Sequence, residues 1–225
     1  MPPAGAHPLD TDGEGAEKVL MKRYLIEFIG TFFLVFTIGM TAVFSPGAGP
    51  FAPVAIGMVL AVMVYMGGPV SGAHYNPAVT LAALLKGATP LADVLPYLLA
   101  QAAGAVLASL AAGYLTTASH GMMQLEVGPV LVAELLFTFA LVWVILHVAM
   151  SEETKGNPYF GIAIGGTVMA GAFAVGSISG GAFNPAVALG LIIMGAVPVA
   201  AVWMYLLANF GAAAAAALLF KRFYS

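Results

Sequence analysis

The stretch SGAHYNPAV at residues 71–79 returns as GGAFNPAV at residues 180–187, around a shared Asn-Pro-Ala-Val offset by 108 residues. Each copy has a Gly-rich lead-in and opens a short apolar piece, Asn76–Leu85 in the first case and Asn184–Met194 in the second. About 20 residues are needed to cross the hydrocarbon of a bilayer as a helix. These two pieces are too short, so they are interpreted as half-helices that enter a membrane and stop.

The composition around these stretches is that of a membrane protein. Of the 225 residues, 61% are hydrophobic and 8% are charged, whereas about a quarter of the residues in a soluble domain carry charge. A net charge of -3 without a basic cluster excludes a nucleic-acid-binding surface, and the absence of cysteine excludes disulfides and Cys-based zinc sites. Six apolar runs approach the length of a membrane span: Tyr24–Phe44, Phe51–Gly68, Leu91–Leu115, Val130–Met150, Phe160–Gly176 and Ala196–Phe220.

Further pairs of segments keep nearly the same offset. YLLAQ at residues 97–101 matches YLLAN at residues 205–209, and Glu27 in the first span matches Glu134 in the fourth. A repeat at a fixed offset indicates two homologous halves. Because each half holds three spans, an odd number, the second half must be inverted relative to the first, as in many channels and transporters.

The basic residues predict the orientation of this topology. Lys18, Lys22 and Arg23 precede span one, and Lys221 and Arg222 follow span six. Lys86 lies between the first half-helix and span three, and Lys155 lies between spans four and five. By the positive-inside rule, both termini are therefore expected in the cytoplasm. The loops at residues 45–50 and 116–126, which contain no Lys or Arg, are expected outside.

Two broken helices predict one cavity, because freed backbone groups are tolerated in a membrane only inside protein or along a water-filled path. The two half-helices should enter from opposite faces and meet with their N-termini near the midplane. Asn76 and Asn184 are favoured N-caps, and Pro77 and Pro185 suit the first helical turn. Each Asn can cap with its oxygen and offer amide donors to the cavity. Two opposed N-termini should repel cations there and admit neutral solutes that carry an oxygen acceptor.

From about residue 21 to 222, the sequence resembles the major intrinsic protein family, the aquaporins and glycerol facilitators. The matching features are the two Asn-Pro-Ala boxes and four shorter matches, namely Asn76, Pro77, Ala78, Asn184, Pro185, Ala186, the lead-in Ser179–Gly181, the run Glu27–Phe32, Ala100-Gln101 and Gly104. The resemblance implies an all-α membrane protein with six tilted helices, two re-entrant half-helices, one pore per subunit and usually a homotetramer. A disordered tail is expected at residues 1–20, and the channel domain at 21–222, with repeats at about 21–116 and 128–222.

One position departs from the family pattern. In most members the second box is followed by an Arg that narrows the outer selectivity filter, and this chain has Val187 there. Carried over by spacing, the other filter positions fall on Ile56, Ala172 and Gly181. Water-selective members resemble one another in having an aromatic residue at the first of these positions and His at the second. This chain has neither, so the resemblance implies a wide, apolar filter.

Two acids lie inside apolar spans, where a carboxylate costs about 2.5 kcal/mol or more. The symmetric placement of Glu27 and Glu134 predicts a structural role, in which each accepts hydrogen bonds from the backbone of the re-entrant loop near the opposing half-helix. A proton relay is the alternative.

Two histidines are further candidates. His74 stands two residues before Asn76, and the resemblance favours a place in the cytoplasmic vestibule, where it either packs the loop or gates with pH. His120 has Met122 and Met123 beside it, and such a set could bind a soft metal ion. With one His and no third strong ligand, an ordinary loop is the favoured interpretation, and no metal or other cofactor is expected.

The resemblance implies a passive channel for water and small uncharged solutes, with a wide filter that admits glycerol-like solutes or undissociated metalloid acids. A water-selective channel is the alternative. An ion-coupled secondary transporter would need ionisable residues at the central site, where amides are predicted. An enzyme would need a nucleophile and a base at matching depth, and no such pair is found. The expected partners are the bilayer, small neutral solutes and further copies of the chain, and the short loops favour a bacterial inner membrane.

Overall fold

The structure is a computed structural model that describes residues 13–44, 46–116, 118 and 120–224. These residues form no strand and eight α-helices: α1 Gly13–Ile38, α2 Ala52–Ser71, α3 Pro77–Lys86, α4 Leu91–Leu115, α5 Val127–Ala149, α6 Phe160–Ser179, α7 Pro185–Ile193 and α8 Val202–Tyr224. Six of these helices are long and apolar enough to cross a membrane, while α3 and α7 have only 10 and 9 residues. The predicted fold class, six spans with two half-helices, is confirmed.

The helix ends follow local chemistry. Both α2 and α6 stop at a glycine with a left-handed backbone, Gly72 at φ 89° and Gly180 at φ 82°. Residues with a Cβ avoid this conformation, so glycine is the favoured residue where a helix turns sharply into a loop. Pro90 precedes α4, and its ring fixes an extended entry into that helix. The turns at Gly72 and Gly180 begin the two re-entrant loops that lead into the half-helices.

The first helix is longer than the sequence predicted. The expected tail covered residues 1–20, but α1 begins at Gly13 and continues through Ile38 into one π-helical turn, Gly39–Val43. The segment GEGAEKVL at residues 13–20 is polar, which suggested a tail, yet Ala, Glu, Lys and Leu are strong helix formers. Residues 1–12 of the expected tail lie outside the described residues.

The helices pack as an inverted repeat. In the first half α1 packs against α2 and α4, and in the second half α5 packs in the same way against α6 and α8. The half-helices exchange neighbours, since α3 packs against α8 and α7 against α4. Helices α3 and α7 also touch each other. The two short helices are therefore held inside the bundle by spans of both repeats.

The second and the sixth helix cross at a pair of glycines that lie 108 residues apart. A Cβ on Gly57 would come within 2.6 Å of the carbonyl oxygen of Gly165, and a Cβ on Gly165 within 2.2 Å of that of Gly57. Small residues allow membrane helices to approach this closely. The residues just before them, Ile56 and Ile164, both line the central cavity. The crossing thus fixes the width of the cavity from two sides.

The loops divide between two faces of the bundle. Arg23, Lys86 and Lys155 line a common vestibule of about 810 Å³ on what we name the basic face. On the opposite face, the backbone N–H of Met123 donates to the carbonyl of Ala196 at 2.8 Å. We name this the non-basic face, because its loops at residues 44–51, 116–126 and 194–201 contain neither Lys nor Arg.

Candidate transport pathway

A cavity of about 240 Å³ runs between the half-helices and the surrounding spans. Its wall brings together residues that the sequence singled out from four separate segments: His74, Asn76, Ile56, Ala172, Gly181, Asn184 and Val187. His74 also lines the vestibule on the basic face. The cavity and the vestibule therefore meet at this histidine.

Asn76 begins the half-helix α3 and reaches across to the other repeat. Its backbone is extended, at φ -157° and ψ 118°, as expected of an N-cap. Its Oδ1 accepts a hydrogen bond from the N–H of Ala78 at 2.9 Å, and its Nδ2 donates to the carbonyl of Phe183 at 2.9 Å. One side chain thus caps its own helix and joins the two repeats.

Asn184 makes the reciprocal set of contacts. Its Oδ1 accepts from the N–H of Ala186 at 2.8 Å, and its Nδ2 donates to the carbonyl of Tyr75 at 2.8 Å. A side-chain amide carries two N–H donors. Each Asn therefore uses one hydrogen to cross-link the repeats, while the second is not engaged by any hydrogen bond among the described residues. The centre of the cavity offers two amide donors next to two helix N-termini, which carry partial positive charge.

The loops before the two Asn residues have an unusual backbone. Ala73, Tyr75 and Phe183 have positive φ angles of 53°, 51° and 48°. For residues with a Cβ this conformation costs about 1–2 kcal/mol each, so something must hold it in place. Tyr75 fits only because glycines lie opposite, since a Cβ on Gly30 would come within 2.1 Å of its ring.

The carboxylate of Glu27 holds the first loop. Its Oε1 accepts from the hydroxyl of Ser71 at 2.7 Å and from the N–H of His74 at 2.9 Å. Its Oε2 accepts from the N–H of Tyr75 at 2.7 Å and from Nε2 of Gln101 at 2.9 Å. Four donors on one buried carboxylate satisfy its negative charge where no water can.

Glu134 holds the second loop in the same way. Its Oε1 accepts from the hydroxyl of Ser179 at 2.7 Å and from the N–H of Ala182 at 2.9 Å. Its Oε2 accepts from the N–H of Phe183 at 2.7 Å and from Nδ2 of Asn209 at 2.9 Å. The corresponding distances in the two repeats therefore agree to a tenth of an ångström.

The partners of the acids differ in one respect from the expectation. The sequence predicted that each acid contacts the loop near the opposing half-helix, but each binds the loop of its own repeat. The reason is that each acid stands on the first helix of its repeat, and the three spans of that repeat fold around their own loop. Neither acid is among the residues that line the cavity.

The repeated tyrosines and amides of α4 and α8 have roles that were not predicted from the sequence. The hydroxyl of Tyr97 donates to the carbonyl of Ser71 at 2.7 Å, and that of Tyr205 to the carbonyl of Ser179 at 2.5 Å. The signal was available, because YLLAQ and YLLAN repeat at the same offset as the two boxes. Such shared offsets mark residues that hold equivalent parts of the two loops.

The basic end of the cavity is polar. Nδ1 of His74 lies 3.1 Å from Oγ1 of Thr80, and its ring packs against that of Tyr97 at 5.1 Å between centroids. Nearby, Nη1 of Arg23 lies 2.7 Å from Oδ2 of the buried Asp93, and Nε of Arg23 lies 3.0 Å from the hydroxyl of Tyr97. This ion pair joins residues that are 70 positions apart and was not predicted from the sequence.

The rim of the vestibule carries an exposed ion pair. Nζ of Lys155 lies 2.9 Å from Oε2 of Glu152 in the loop between α5 and α6. The hydrogen bond and the positive charge of Lys155 lower the pKa of Glu152. Both side chains are in contact with water, so this pair contributes little to stability.

The non-basic end of the cavity is apolar at the four predicted filter positions. Ile56, Ala172, Gly181 and Val187 carry no side-chain donor, charge or aromatic ring, and Gly181 and Ala172 are neighbours across the wall, since a Cβ on Gly181 would lie 3.6 Å from the Cα of Ala172. His120 also lines this end, although the sequence favoured an ordinary loop. Within the described ranges, no group of three or more His, Cys, Asp or Glu residues could hold a metal ion.

Six spans and two half-helices, arranged as an inverted repeat around a cavity that reaches the vestibule, define a membrane channel or transporter. The sequence model of the family "Major intrinsic protein" matches residues 15–173 and 132–225, so that both repeats are covered. The chain belongs to the major intrinsic protein family, which confirms the resemblance. It is accordingly a passive multi-pass membrane channel and not an enzyme.

Several curated relatives support this assignment. The chain is 37% identical over 207 residues to aquaporin NIP1-4 of Oryza sativa subsp. japonica, covering 88% of this chain and 75% of the relative. It is 35% identical over 199 residues to the glycerol uptake facilitator protein-like 6 of Lactiplantibacillus plantarum, covering 84% and 91%. The solved aquaglyceroporin of Plasmodium falciparum has the same fold, with a TM-score of 0.71 at 20% identity over 91% of this chain and 95% of that one.

Proposed function

We propose that this channel conducts water together with larger neutral solutes, glycerol-like polyols or undissociated metalloid acids. The observation that carries the proposal is that Ile56, Ala172, Gly181 and Val187 line one cavity and bring no charged, hydrogen-bonding or aromatic side chain to it. A filter of small and aliphatic side chains leaves room for the carbon backbone of a solute. The name of the bacterial relative, a glycerol uptake facilitator protein, agrees with this solute class.

Water selectivity, the alternative, is less well supported. A pore that admits water alone has to be narrow and has to replace the hydrogen bonds that each water loses. Gly181 and Ala172 have the smallest side chains available, and Val187 has no hydrogen-bonding group. The polar groups lie deeper, at the two Asn amides. A solute with hydroxyl groups can pass the apolar end and then accept hydrogen bonds from these amides.

The test is to replace Val187 by Arg and to measure water, glycerol and arsenous acid permeability of reconstituted vesicles by stopped-flow light scattering. Arg would add a long side chain, a fixed charge and a fork of donors. Glycerol and arsenous acid permeability should fall roughly tenfold or more, whereas water permeability should fall much less, because a single water can still pass beside the guanidinium.

Val187→Leu is the matched control, because it adds bulk without charge or donors. It should reduce glycerol permeability by less than Val187→Arg does. Folded yield of both variants is checked first by size-exclusion chromatography. If well-folded Val187→Arg loses water and glycerol permeability in equal proportion, Val187 does not set the size limit. Wild-type vesicles that conduct water but neither larger solute would contradict the proposal itself.

The orientation and the assembly are part of the same proposal. We place both termini in the cytoplasm and the protein in the cell membrane, because Arg23, Lys86 and Lys155 lie at the basic face and basic residues are enriched on the cytoplasmic side. The relatives come from plants as well as from a bacterium, so the bacterial inner membrane expected from the sequence gains no further support. A homotetramer follows from the family resemblance.

Labelling tests the orientation on a clean background, since the chain has no cysteine. A membrane-impermeant maleimide should label Gln124→Cys from outside intact cells and leave Glu153→Cys unlabelled until the cells are opened. The reverse pattern would contradict cytoplasmic termini. Native mass spectrometry of the detergent-solubilised protein tests the tetramer, and a monomeric mass would contradict it.

A further inference from the structure

The non-basic end of the cavity obtains a polar side chain from a segment outside the filter. None of the four filter positions carries one, but His120, in the loop between α4 and α5, lines the same cavity. The N–H of Met123, three residues further along this loop, donates to the carbonyl of Ala196 at 2.8 Å and joins it to the segment after α7. Met123 also lines the cavity.

The imidazole of His120 is held between two elements. Its ring meets the ring of Phe44 edge to face, with centroids 4.9 Å apart. On another side its Cε1 would lie 3.8 Å from a Cβ on Gly195, so the absence of a side chain at Gly195 leaves space for the ring. Phe44 and Gly195 both lie on the non-basic face. A histidine packed in this way keeps a fixed position at the mouth and remains partly exposed.

In the sequences of the three loops of the non-basic face, His120 is the only basic side chain. These loops contain one other titratable side chain, Glu126, which is exposed and lies on the loop of His120 itself. The elements that pack against the ring, the π-helical turn Gly39–Val43 with Phe44 and the segment after α7 with Gly195, contribute no titratable or charged group. The neighbouring filter residues contribute none either. A change of charge at this mouth therefore falls on His120 or Glu126.

We propose that His120 is a specificity-determining residue, which supplies the hydrogen-bonding and titratable group at the non-basic mouth that the four filter positions lack. This proposal rests on the proposed function: His120 would be the first polar side chain that a solute contacts when it enters from the non-basic face. A neutral imidazole both accepts and donates a hydrogen bond, which matches a solute hydroxyl. Protonation removes the acceptor and adds a strongly hydrated charge.

The direction of the effect follows from this chemistry. An imidazolium holds water in a mouth that is otherwise apolar. A solute with a carbon backbone then loses the imidazole nitrogen that accepted its hydroxyl, and the bound water takes up the space that the solute needs. Water can join the hydration of the imidazolium and loses less. The added positive charge also repels cations. Lowering the pH from 8 to 5.5, the range in which histidine changes its charge, should therefore reduce glycerol permeability and increase the preference for water.

The experiment measures glycerol and water permeability of reconstituted vesicles at pH 8 and pH 5.5, with the same pH on both sides. Equal pH makes the result independent of the orientation of the protein in the vesicle. The variants are His120→Gln, which hydrogen-bonds but does not titrate, and His120→Lys, which carries a permanent charge. Glu126→Gln is the matched control on the same loop, and empty vesicles control for the lipid.

Wild type and Glu126→Gln should lose about half or more of their glycerol permeability at pH 5.5, with a smaller loss for water. His120→Gln should show the same permeability at both pH values, and His120→Lys should resemble the wild type at pH 5.5 throughout. An equal pH dependence of His120→Gln and wild type, or a wild type without pH dependence, would overturn the proposal. A wild type that conducts only water would contradict the proposed function, while the pH dependence of water permeability would still test His120.

Discussion

The two repeats build the same backbone frame and fill it with different side chains. In both, a buried acid on the first helix accepts four hydrogen bonds, from a serine, two backbone N–H groups of the loop and a side-chain amide, at the same distances of 2.7 and 2.9 Å. In both, a tyrosine hydroxyl holds the end of the preceding span. The frame is therefore symmetric across the midplane.

The side chains around this frame are not symmetric. Equivalent positions of the two repeats are 107 or 108 residues apart, and at several of them the first repeat has a polar side chain and the second an aliphatic one. His74 and Thr80 correspond to Ala182 and Ala188, and the ion pair of Arg23 with Asp93 corresponds to Val130 and Ala201, both buried. The basic end of the path is thus built from hydrogen-bonding groups, and the non-basic end from hydrocarbon.

The difference separates what the fold requires from what selectivity can vary. Loops with left-handed residues leave backbone N–H groups that must find an acceptor away from water, so each loop needs its acid. The side chains that line the path are not needed to satisfy backbone N–H groups. They can differ between repeats, and a residue from a third element, His120, can supply what the second repeat lacks.

The largest expected effect tests the symmetry of the frame. In Glu27→Gln or Glu134→Gln, an amide NH₂ replaces one acceptor oxygen, and two buried donors lose their partner. Each lost partner costs about 1–3 kcal/mol, so either variant should lower the free energy of unfolding by about 3 kcal/mol or more. Unfolding in mixed micelles, followed by tryptophan fluorescence, measures the change.

The two losses should agree within about 1 kcal/mol if the frames are equivalent. Glu153→Gln, on an exposed loop, is the control and should change little. A variant at either acid that unfolds like the wild type would show that its loop is held by other contacts, and the comparison of the repeats would fail at its first step.

A smaller effect is expected at the ion pair, which exists only in the first repeat. Removing Arg23 alone leaves the nearly buried carboxylate of Asp93 without its cation, and breaking a buried pair on one side typically costs about 3 kcal/mol, less here because Arg23 is partly exposed. The double variant Arg23→Val with Asp93→Ala introduces the side chains of the second repeat. It should be more stable than Arg23→Val.

A double-mutant cycle on the free energy of unfolding measures this coupling. The coupling free energy should favour the wild-type pair, so that the double variant loses clearly less free energy of unfolding than the two single variants together. If the stability losses of the two single variants simply add, Arg23 and Asp93 are not coupled, and this ion pair does not explain why the polar side chains at the basic end are stable.

Features that depend on local chemistry were predicted well from the sequence. The span Leu91–Leu115 and the start of the span at Phe160 agree with the helices found, because apolar length decides them. The half-helix α3 begins at Pro77, directly after Asn76, because Asn-Pro is a strong local start signal. The length of α1 was underestimated, since charged helix formers and a polar tail have similar compositions.

Features that depend on tertiary packing were missed. The sequence indicated that Glu27 and Glu134 bind loops, but only the packing of three spans around their own loop decides which loop. The contact of Arg23 with Asp93 joins distant positions and leaves no periodic signal. His120 belongs to a loop without a motif, and its contact with Phe44 joins two loops that are distant in the sequence.

The centre of the path offers a sharper version of the comparison, because here the repeats are equivalent in their side chains as well. Asn76→Asp and Asn184→Asp each place a negative charge where two helix N-termini repel cations. Proton permeability, measured with a pH dye inside vesicles, should rise roughly tenfold, which corresponds to about 1.4 kcal/mol of barrier.

Both single variants should raise the proton permeability to a similar extent. Gln124→Glu adds the same charge on an exposed loop and should leave it unchanged. An effect confined to one of the two Asn positions would mean that the barrier belongs to one repeat, and an effect at neither would place the barrier elsewhere along the path.

The smallest effect is expected at Thr80, a polar residue near the start of the first half-helix. Its Oγ1 accepts from Nε2 of Gln101 at 3.0 Å and lies 3.1 Å from Nδ1 of His74. In the second repeat Ala188 takes its place, and Asn209 donates instead to Thr138 at 2.9 Å. Thr80→Ala should therefore lower the free energy of unfolding by about 1 kcal/mol, the usual net contribution of one hydrogen bond.

Thr80→Ser, which keeps the hydroxyl, should restore most of this loss, and it is the matched control. Thr80→Ala should also free the ring of His74, so that diethyl pyrocarbonate modifies His74 faster than in the wild type. The counterpart of Thr138 in the first repeat is Thr31, whose hydroxyl donates to the carbonyl of Glu27 at 2.8 Å. If Thr80→Ala cost nothing, Gln101 would have turned to Thr31 as Asn209 turns to Thr138, and the polar half-helix would be a replaceable addition to the shared frame.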